Sequence, residues 1–192
     1  MRTTLRITAA AAFLLAGAGA SLAANPMVGG APMFETKTIV ENAVNSADHT
    51  TLVAAVQAAG LVETLQGPGP FTVFAPNNEA FEALPAGTVA TLLEPENKQA
   101  LTDILTYHVV PGRLTTDELK AKVSEAGGAW AVATVNGGEL TFRVEGDTLW
   151  AMVKDGKVVL KDEKGGMSTV TQADVFQSNG VIHVVDTVVM PG

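Results

Sequence analysis

Residues 179–191 read Asn-Gly-Val-Ile-His-Val-Val-Asp-Thr-Val-Val-Met-Pro, and this run says more about the fold than any other stretch. The Asn-Gly pair is a turn signal, and the β-branched residues after it are typical of a strand that is buried on both faces. We therefore predict a central strand over residues 181–190. His183 and Asp186 lie three residues apart, so a strand points them to opposite faces and they cannot form an orienting pair. Both polar side chains of this buried run must find hydrogen-bond partners, and we interpret His183 as structural.

The C-terminal third of the chain has the pattern of an antiparallel meander. After Gly127 the apolar period becomes two, and five turn signals separate the candidate strands. The turn signals are Asn136-Gly137, Gly146-Asp147, Asp155-Gly156, Gly165-Gly166 and Asn179-Gly180. The candidate strands are residues 130–135, 140–145, 148–154, 157–161, 168–176 and 181–190.

The N-terminal half has helical spacing instead. Apolar residues recur over 39–44, and a second helix is expected from a cap at Asp48 to a stop at Gly60. A longer helix over residues 97–109 has an apolar stripe that ends in His108, so this histidine is predicted to face the core. Further caps are Asn77 and the capping box Thr115 with Glu118. Periodicity therefore predicts helices first and antiparallel strands later.

The first residues have the pattern of a secretory signal peptide. Arg2 and Arg6 precede a short apolar stretch over residues 7–20, and small residues follow at the cleavage position. We expect a signal peptide over 1–23, a flexible Pro- and Gly-rich leader over 24–35 and one folded domain over 36–192. An uncleaved membrane anchor and a buried first helix are the alternatives. Cleavage would leave a periplasmic or secreted protein without a membrane span.

Composition excludes several classes of function. The chain has no cysteine, so it has neither disulfides nor a lipid-modified cysteine. Its formal net charge of −8 would become −10 on cleavage, because the signal peptide carries Arg2 and Arg6 and no acidic residue. Such a charge argues against nucleic acids and anionic membranes as partners, since both select basic patches.

The sequence lacks the usual constellations for catalysis or metal binding. His49, His108 and His183 lie in separate elements without zinc spacing, and no Gly-x-Ser-x-Gly turn is present. We therefore predict no catalytic residue, no metal site and no cofactor. Acidic residues that could still form a glycosidase-like pair are Glu79, Glu82, Asp174 and Asp186, and none of them is singled out. For Asp174 we favour a role in tethering a turn or strand edge.

Three segments of the chain form one pattern. Residues 72–81 read Thr-Val-Phe-Ala-Pro-Asn-Asn-Glu-Ala-Phe, residues 105–112 read Leu-Thr-Tyr-His-Val-Val-Pro-Gly, and residues 179–191 are quoted above. In this order they resemble the first signature, the Tyr-His box and the second signature of the fasciclin (FAS1) domain family. The resemblance covers residues 36–192. It implies an α+β fold, a wedge of two β-sheets with N-terminal helices packed around it, and a role in adhesion or extracellular interaction.

The resemblance also suggests candidate partner-binding residues. The integrin-linked positions of animal members fall on Tyr107 and His108 with Leu105 and Val109, although the helical stripe favours a hydrogen-bonded core role for His108. Trp130 and Trp150 could stack on sugars or anchor an interface, or pack in the core.

Three functional hypotheses follow. The first is a secreted, non-enzymatic adhesion or interaction module that binds a surface protein, a matrix polysaccharide or another copy of itself. The alternative is a periplasmic small-ligand or carbohydrate-binding protein, and a hydrolase comes third.

Overall fold

The computed structural model describes residues 25–143, 159–161 and 164–192. The strands of this part are Met27–Val28 (β1), Ala31–Pro32 (β2), Phe71–Pro76 (β3), Val109–Pro111 (β4), Ala129–Ala133 (β5), Glu139–Arg143 (β6), Val159–Lys161 (β7), Met167–Gln177 (β8) and Gly180–Val185 (β9). Its α-helices are Ile39–Ala43 (α1), Thr50–Ala59 (α2), Val62–Gln66 (α3), Asn78–Glu82 (α4), Thr88–Leu92 (α5), Lys98–Tyr107 (α6) and Thr116–Glu125 (α7). Short 3-10 turns lie at Ala47–His49 and Pro95–Asn97. The α+β class is confirmed. The expected signal peptide, the strand candidate 148–154 and Trp150 lie outside the described residues.

Seven of the described strands form one mixed sheet in the order β4-β3-β9-β8-β7-β6-β5. The strands from β5 to β9 pair antiparallel with their neighbours along the chain, as the meander predicts. β9 then pairs parallel with β3, which the local pattern does not reveal. The β1–β2 hairpin stands apart as a two-stranded sheet.

The two halves of this sheet share β8 and curve towards each other. The first residues of β8 pair with β7, and the rest pair with β9 across register shifts that flank Gln172. The N–H of Val135, just after β5, donates to the carbonyl of Val109 in β4 at 2.8 Å. The ends of the strand order therefore meet. The family resemblance implies two β-sheets. In the structure the two sheets are joined through β8 into one continuous hydrogen-bonded sheet, which curves back on itself.

β9 is the central strand that its sequence predicts, although it is shorter than predicted. All six residues of Gly180–Val185 are buried between β3 and β8. The strand ends before Asp186, which is exposed, while Val188 and Val189 remain buried beyond it. A continuous β-branched run thus marks burial on both faces rather than strand length.

Two hydrophobic clusters lie on opposite faces of the central strands. In β3, Val73 and Ala75 belong to the first cluster with the N-terminal helices, while Phe74 belongs to the second with α7 and the β5–β7 region. In β9, Val184 and Val185 divide in the same way. The alternation of side chains along a strand produces this division, and it places His183 on the face of the second cluster.

The helix caps match the sequence signals except at α2. Asn77 caps α4, Thr115 and Glu118 form the predicted capping box of α7, and Gly60 ends α2 in a left-handed conformation. Asp48 is not the cap of α2, because it lies within the preceding 3-10 turn. Instead Asn78 accepts a hydrogen bond from the Thr51 N–H at 3.1 Å, so a distant residue caps this helix.

Part of the segment 24–35, which the sequence predicts to be a flexible leader, packs onto the domain. Val28 and Met33 are buried in the first cluster. The Phe34 N–H donates to Asn42 Oδ1 at 3.1 Å, and Asn42 Nδ2 donates to the Phe34 carbonyl and to Gln177 Oε1. Apolar burial and this buried amide pair hold the segment, so the prediction of a flexible leader is wrong for the residues from Val28 to Phe34. Within the described residues, no helix has the length and apolar character needed to span a membrane.

Candidate functional site

The Tyr-His segment lies in the interior of the domain. α6 ends at Tyr107, His108 follows as its C-cap, and Val109 begins β4. Tyr107 is 0% exposed, and its hydroxyl donates to the Glu139 carbonyl at 2.6 Å. Leu105 and Val109 are also buried. The four residues that the resemblance offered for partner binding therefore contact other residues of this domain, and they present no surface to a partner in this conformation.

His108 connects the last turn of α6 to the C-terminal segment. Its ring is 2% exposed, with Nδ1 2.8 Å from the Ile104 carbonyl and Nε2 accepting from the Val189 N–H at 3.1 Å. A carbonyl can only accept and an amide N–H can only donate, so these partners define a tautomer with its proton on Nδ1. The prediction that His108 faces the core is confirmed.

The His183 ring in β9 likewise connects its strand to neighbouring segments through hydrogen bonds. Nε2 lies 2.8 Å from the Leu114 carbonyl, the Asp174 N–H donates to Nδ1 at 3.3 Å, and the ring stacks on Phe74 with centroids 5.4 Å apart. Burial lowers the pKa of His183 from its ordinary value of 6.5, against the opposing effects of the Leu114 hydrogen bond and the Asp174 charge. A neutral, structural imidazole results, as the sequence predicts.

The carboxylates of Asp186 and Asp174 each accept a hydrogen bond from a backbone N–H of the same domain. Asp186 is exposed, and its Oδ1 accepts from the Thr169 N–H at 2.8 Å, on the side of the strand away from His183. Asp174 has a φ of 56° at the irregular part of β8, and its Oδ1 accepts from the Thr116 N–H at 2.8 Å. Asp174 thus joins β8 to the first turn of α7, where a carboxylate is favourable, and its predicted tethering role is confirmed. No three His, Asp or Glu residues in the described ranges come close enough together to hold a metal ion.

Trp130 is half-buried in β5. Its ring stacks on the buried Phe142 with centroids 5.9 Å apart, and Lys122 Nζ lies 5.4 Å from the ring centroid. The indole therefore covers the edge of the second cluster, which is the core-packing alternative for this residue.

The structure places His49 in an environment that the sequence does not predict. His49 is 3% exposed, its Nδ1 lies 2.9 Å from Ser46 Oγ, and its Nε2 has no hydrogen-bond partner. Burial lowers the pKa of His49, against the opposing effects of the Ala75 backbone and the Asp48 charge. The Ala75 backbone is thus near enough to interact with the ring and to favour its protonated form. His49 lines a cavity of about 250 Å³ whose wall is otherwise mostly apolar.

Comparisons with known proteins agree on one family. The fasciclin domain model matches residues 47–191. Protein sll1483 of Synechocystis is 52% identical over 80% of this chain and 73% of its own length. Immunogenic protein MPB70 of Mycobacterium bovis is 36% identical over 78% of this chain and 66% of its own.

Two further comparisons connect the chain to larger animal proteins. The transforming growth factor-beta-induced protein ig-h3 of Sus scrofa is 39% identical over 73% of this chain, but over only 17% of its own length. A solved FAS1 domain pair from the insect cell adhesion molecule Fasciclin I superimposes with a TM-score of 0.67 at 19% identity, over 79% of this chain and 50% of the other. The chain belongs to the fasciclin domain family.

Proposed function

We propose that this protein is a non-enzymatic interaction domain of the adhesion type, which acts outside the cytoplasm and binds through its exterior. The observation that carries this proposal is the internal use of its signature residues. Tyr107, His108 and His183 are buried, and their side-chain polar atoms bond to groups of the same domain. No arrangement of these residues offers a nucleophile beside a base. The proposed partner is a surface protein, a matrix polysaccharide or a second copy of the domain.

Secretion is part of the same proposal. The expected signal peptide over residues 1–23 would deliver the protein to the periplasm or the medium, where adhesion partners are found. Membership of a family that includes an insect cell adhesion molecule supports this location.

Binding of the purified protein to envelope fragments, host cells and a glycan panel would test the proposal. We expect saturable binding that exceeds the binding of an unrelated folded protein of the same size and net charge. Light scattering at several protein concentrations would report self-association. Binding no stronger than that of the control protein on every surface, together with a monomer at all concentrations, would refute the proposal.

A carbohydrate-binding role is less well supported by the geometry. Trp130 is half-buried against Phe142 and has Lys122 near its ring, so it offers little free aromatic surface for a sugar. The observation that favours the small-ligand form of this alternative is the cavity at His49.

A further inference from the structure

A largely apolar cavity of about 250 Å³ lies between the N-terminal helices and the central strands. Interiors are normally packed as densely as organic crystals, so an internal space of this size is unusual in a small domain. For comparison, an engineered apolar cavity of about 150 Å³ stays dry and binds benzene. The aliphatic side chains of the cavity wall come from helices and central strands, and they include Val40, Val53, Val62, Val73 and Ile182. The space is therefore large enough for a substituted benzene ring.

The cavity opens to solvent between α1 and the α2–α3 pair. Its lining includes three exposed residues, namely Val44 at the end of α1, Gln57 on α2 and Gln66 at the end of α3. Val44 is 52% exposed, which is high for an apolar side chain of this size. The neighbouring Ala43 also lines the cavity and is only partly buried. This opening gives a small molecule a path to the interior, and apolar side chains border the path.

One side of the cavity is formed by residues that precede the region matched by the fasciclin domain model. Val28 of β1, Met33 after β2 and Ile39 of α1 line the space, whereas the model match begins at residue 47. The β1–β2 turn is fastened to the domain, because the Ala47 N–H donates to the Gly29 carbonyl at 3.1 Å. The matched region and the segment before it thus build the cavity together.

The buried polar groups of the cavity wall bond to the protein itself. The Ser46 hydroxyl lies 2.9 Å from His49 Nδ1, and both ring nitrogens of His108 have backbone partners. His49 Nε2 has almost no accessible surface, and the ring interacts with the Ala75 backbone, so this nitrogen does not face the space. In the part of the chain that the structure describes, the interior wall therefore offers an occupant hydrocarbon contacts and no hydrogen bond.

The wall is also uncharged. Its described residues include no Asp, Glu, Lys or Arg, and burial lowers the pKa of His49, which favours the neutral ring. A carboxylate or an ammonium group would enter without an opposite charge, and the burial of an unpaired charge costs much free energy. Water is a poor occupant too, because a buried water needs two to four polar partners.

We propose that the cavity binds an uncharged hydrocarbon molecule of the size of an alkylbenzene, held by the burial of its apolar surface and by no hydrogen bond to the wall. This site is independent of the proposed interaction role, because it uses interior groups and needs no protein or polysaccharide partner.

The test compares toluene, phenol and benzoate, which are similar in shape and differ in polarity. Amide chemical-shift titration of the purified protein gives the affinity and the location, and the melting temperature gives an independent readout, since a ligand that binds only the native state raises it. We expect toluene to bind roughly tenfold more tightly than phenol, because the phenol hydroxyl loses its hydrogen bonds to water and gains none in the cavity. Benzoate should cause no saturable shifts.

Ethylbenzene and propylbenzene test whether apolar burial is the source of the affinity. Each added methylene group should tighten binding about fourfold while space remains, which corresponds to the burial of one methylene group. An affinity for ethylbenzene no higher than that for toluene would contradict binding by burial in a space of this volume.

Two Ala→Leu variants test the location. Ala43 lines the cavity at its opening, whereas Ala54 is exposed on α2 and is not part of the lining. Ala43→Leu should weaken toluene binding at least tenfold, and Ala54→Leu should leave it unchanged, with circular dichroism as the check on folding. Val53→Phe serves the same purpose if Ala43→Leu does not fold. The proposal is wrong if toluene does not bind at its solubility limit, if phenol binds as tightly as toluene, or if toluene binds equally well to wild type and to a folded cavity-filling variant.

Discussion

Replacement of His183 by alanine should destabilise the domain strongly. The substitution leaves the Leu114 carbonyl, now bonded at 2.8 Å, and the Asp174 N–H, bonded at 3.3 Å, without their partner. An unsatisfied buried group costs about 1–3 kcal/mol, and the longer bond should contribute the smaller share. Loss of the ring that stacks on Phe74 adds a packing term. Since water that enters the new space can restore part of the bonding, we expect a total loss of about 4 kcal/mol.

A matched variant separates the two terms. In His183→Gln the side-chain amide can still donate to the Leu114 carbonyl, so the loss should be near 2 kcal/mol. Met167 on β8 is half-exposed, and Met167→Ala should change stability by no more than about 0.5 kcal/mol.

Urea denaturation followed by circular dichroism measures these differences, provided that the m-values of the variants agree. A loss below about 1 kcal/mol for His183→Ala would refute the structural role of this histidine. Equal losses for the alanine and glutamine variants would show that the hydrogen bond to Leu114 is not the source of the effect.

Three further outcomes are expected. Burial lowers the pKa of both His49 and His183, so below the ordinary value of 6.5 the unfolded chain binds more protons than the folded one. The free energy of unfolding, measured by urea denaturation, should therefore fall as the pH drops from 7 to 5, by at most about 1.4 kcal/mol per pH unit for each histidine. The His183→Gln variant should have the shallower pH profile. Asn179→Ala removes an acceptor for one backbone N–H and a donor for two backbone carbonyls. It should therefore lower the free energy of unfolding by about 3 kcal/mol. A fall in melting temperature no larger than that of Met167→Ala would contradict this expectation. Gly180→Ala places a Cβ against the Phe71 carbonyl between β3 and β9 and should prevent accumulation of folded protein. Gly137 has a positive φ and open space around it, so Gly137→Ala should lower the free energy of unfolding by only about 1 kcal/mol.

The features that the sequence predicts well depend on local patterns. The capping box at Thr115 requires only residues three positions apart, and the stripe that turns His108 inward requires only one helix. The β-branched run that forms β9 is equally local. In each case neighbouring residues are enough to favour the structure, and tertiary contacts then agree with them.

The features that the sequence did not reveal depend on contacts between distant residues. The N-terminal segment is held by a buried amide pair of Asn42 and Gln177, which are 135 positions apart. Capping of α2 by Asn78 likewise crosses 27 positions, so Asp48 was the better candidate by local rules and was still wrong. His49 carried no signal at all, because a lone histidine next to a polar turn does not show whether its second nitrogen will find a partner.

The three segments that carry the family resemblance are joined to one another in the interior. The Phe74 N–H of the first segment donates to the His108 carbonyl of the second at 2.9 Å, and the Phe74 ring stacks on His183 of the third. The His108 ring in turn accepts from Val189 of the third segment. Contacts of this kind stabilise the scaffold and cannot recognise a partner at the same time, because their polar atoms are already bonded. Under the proposed interaction role, the residues that contact a partner therefore lie elsewhere, on the exposed surface, where substitutions can act without loss of the fold.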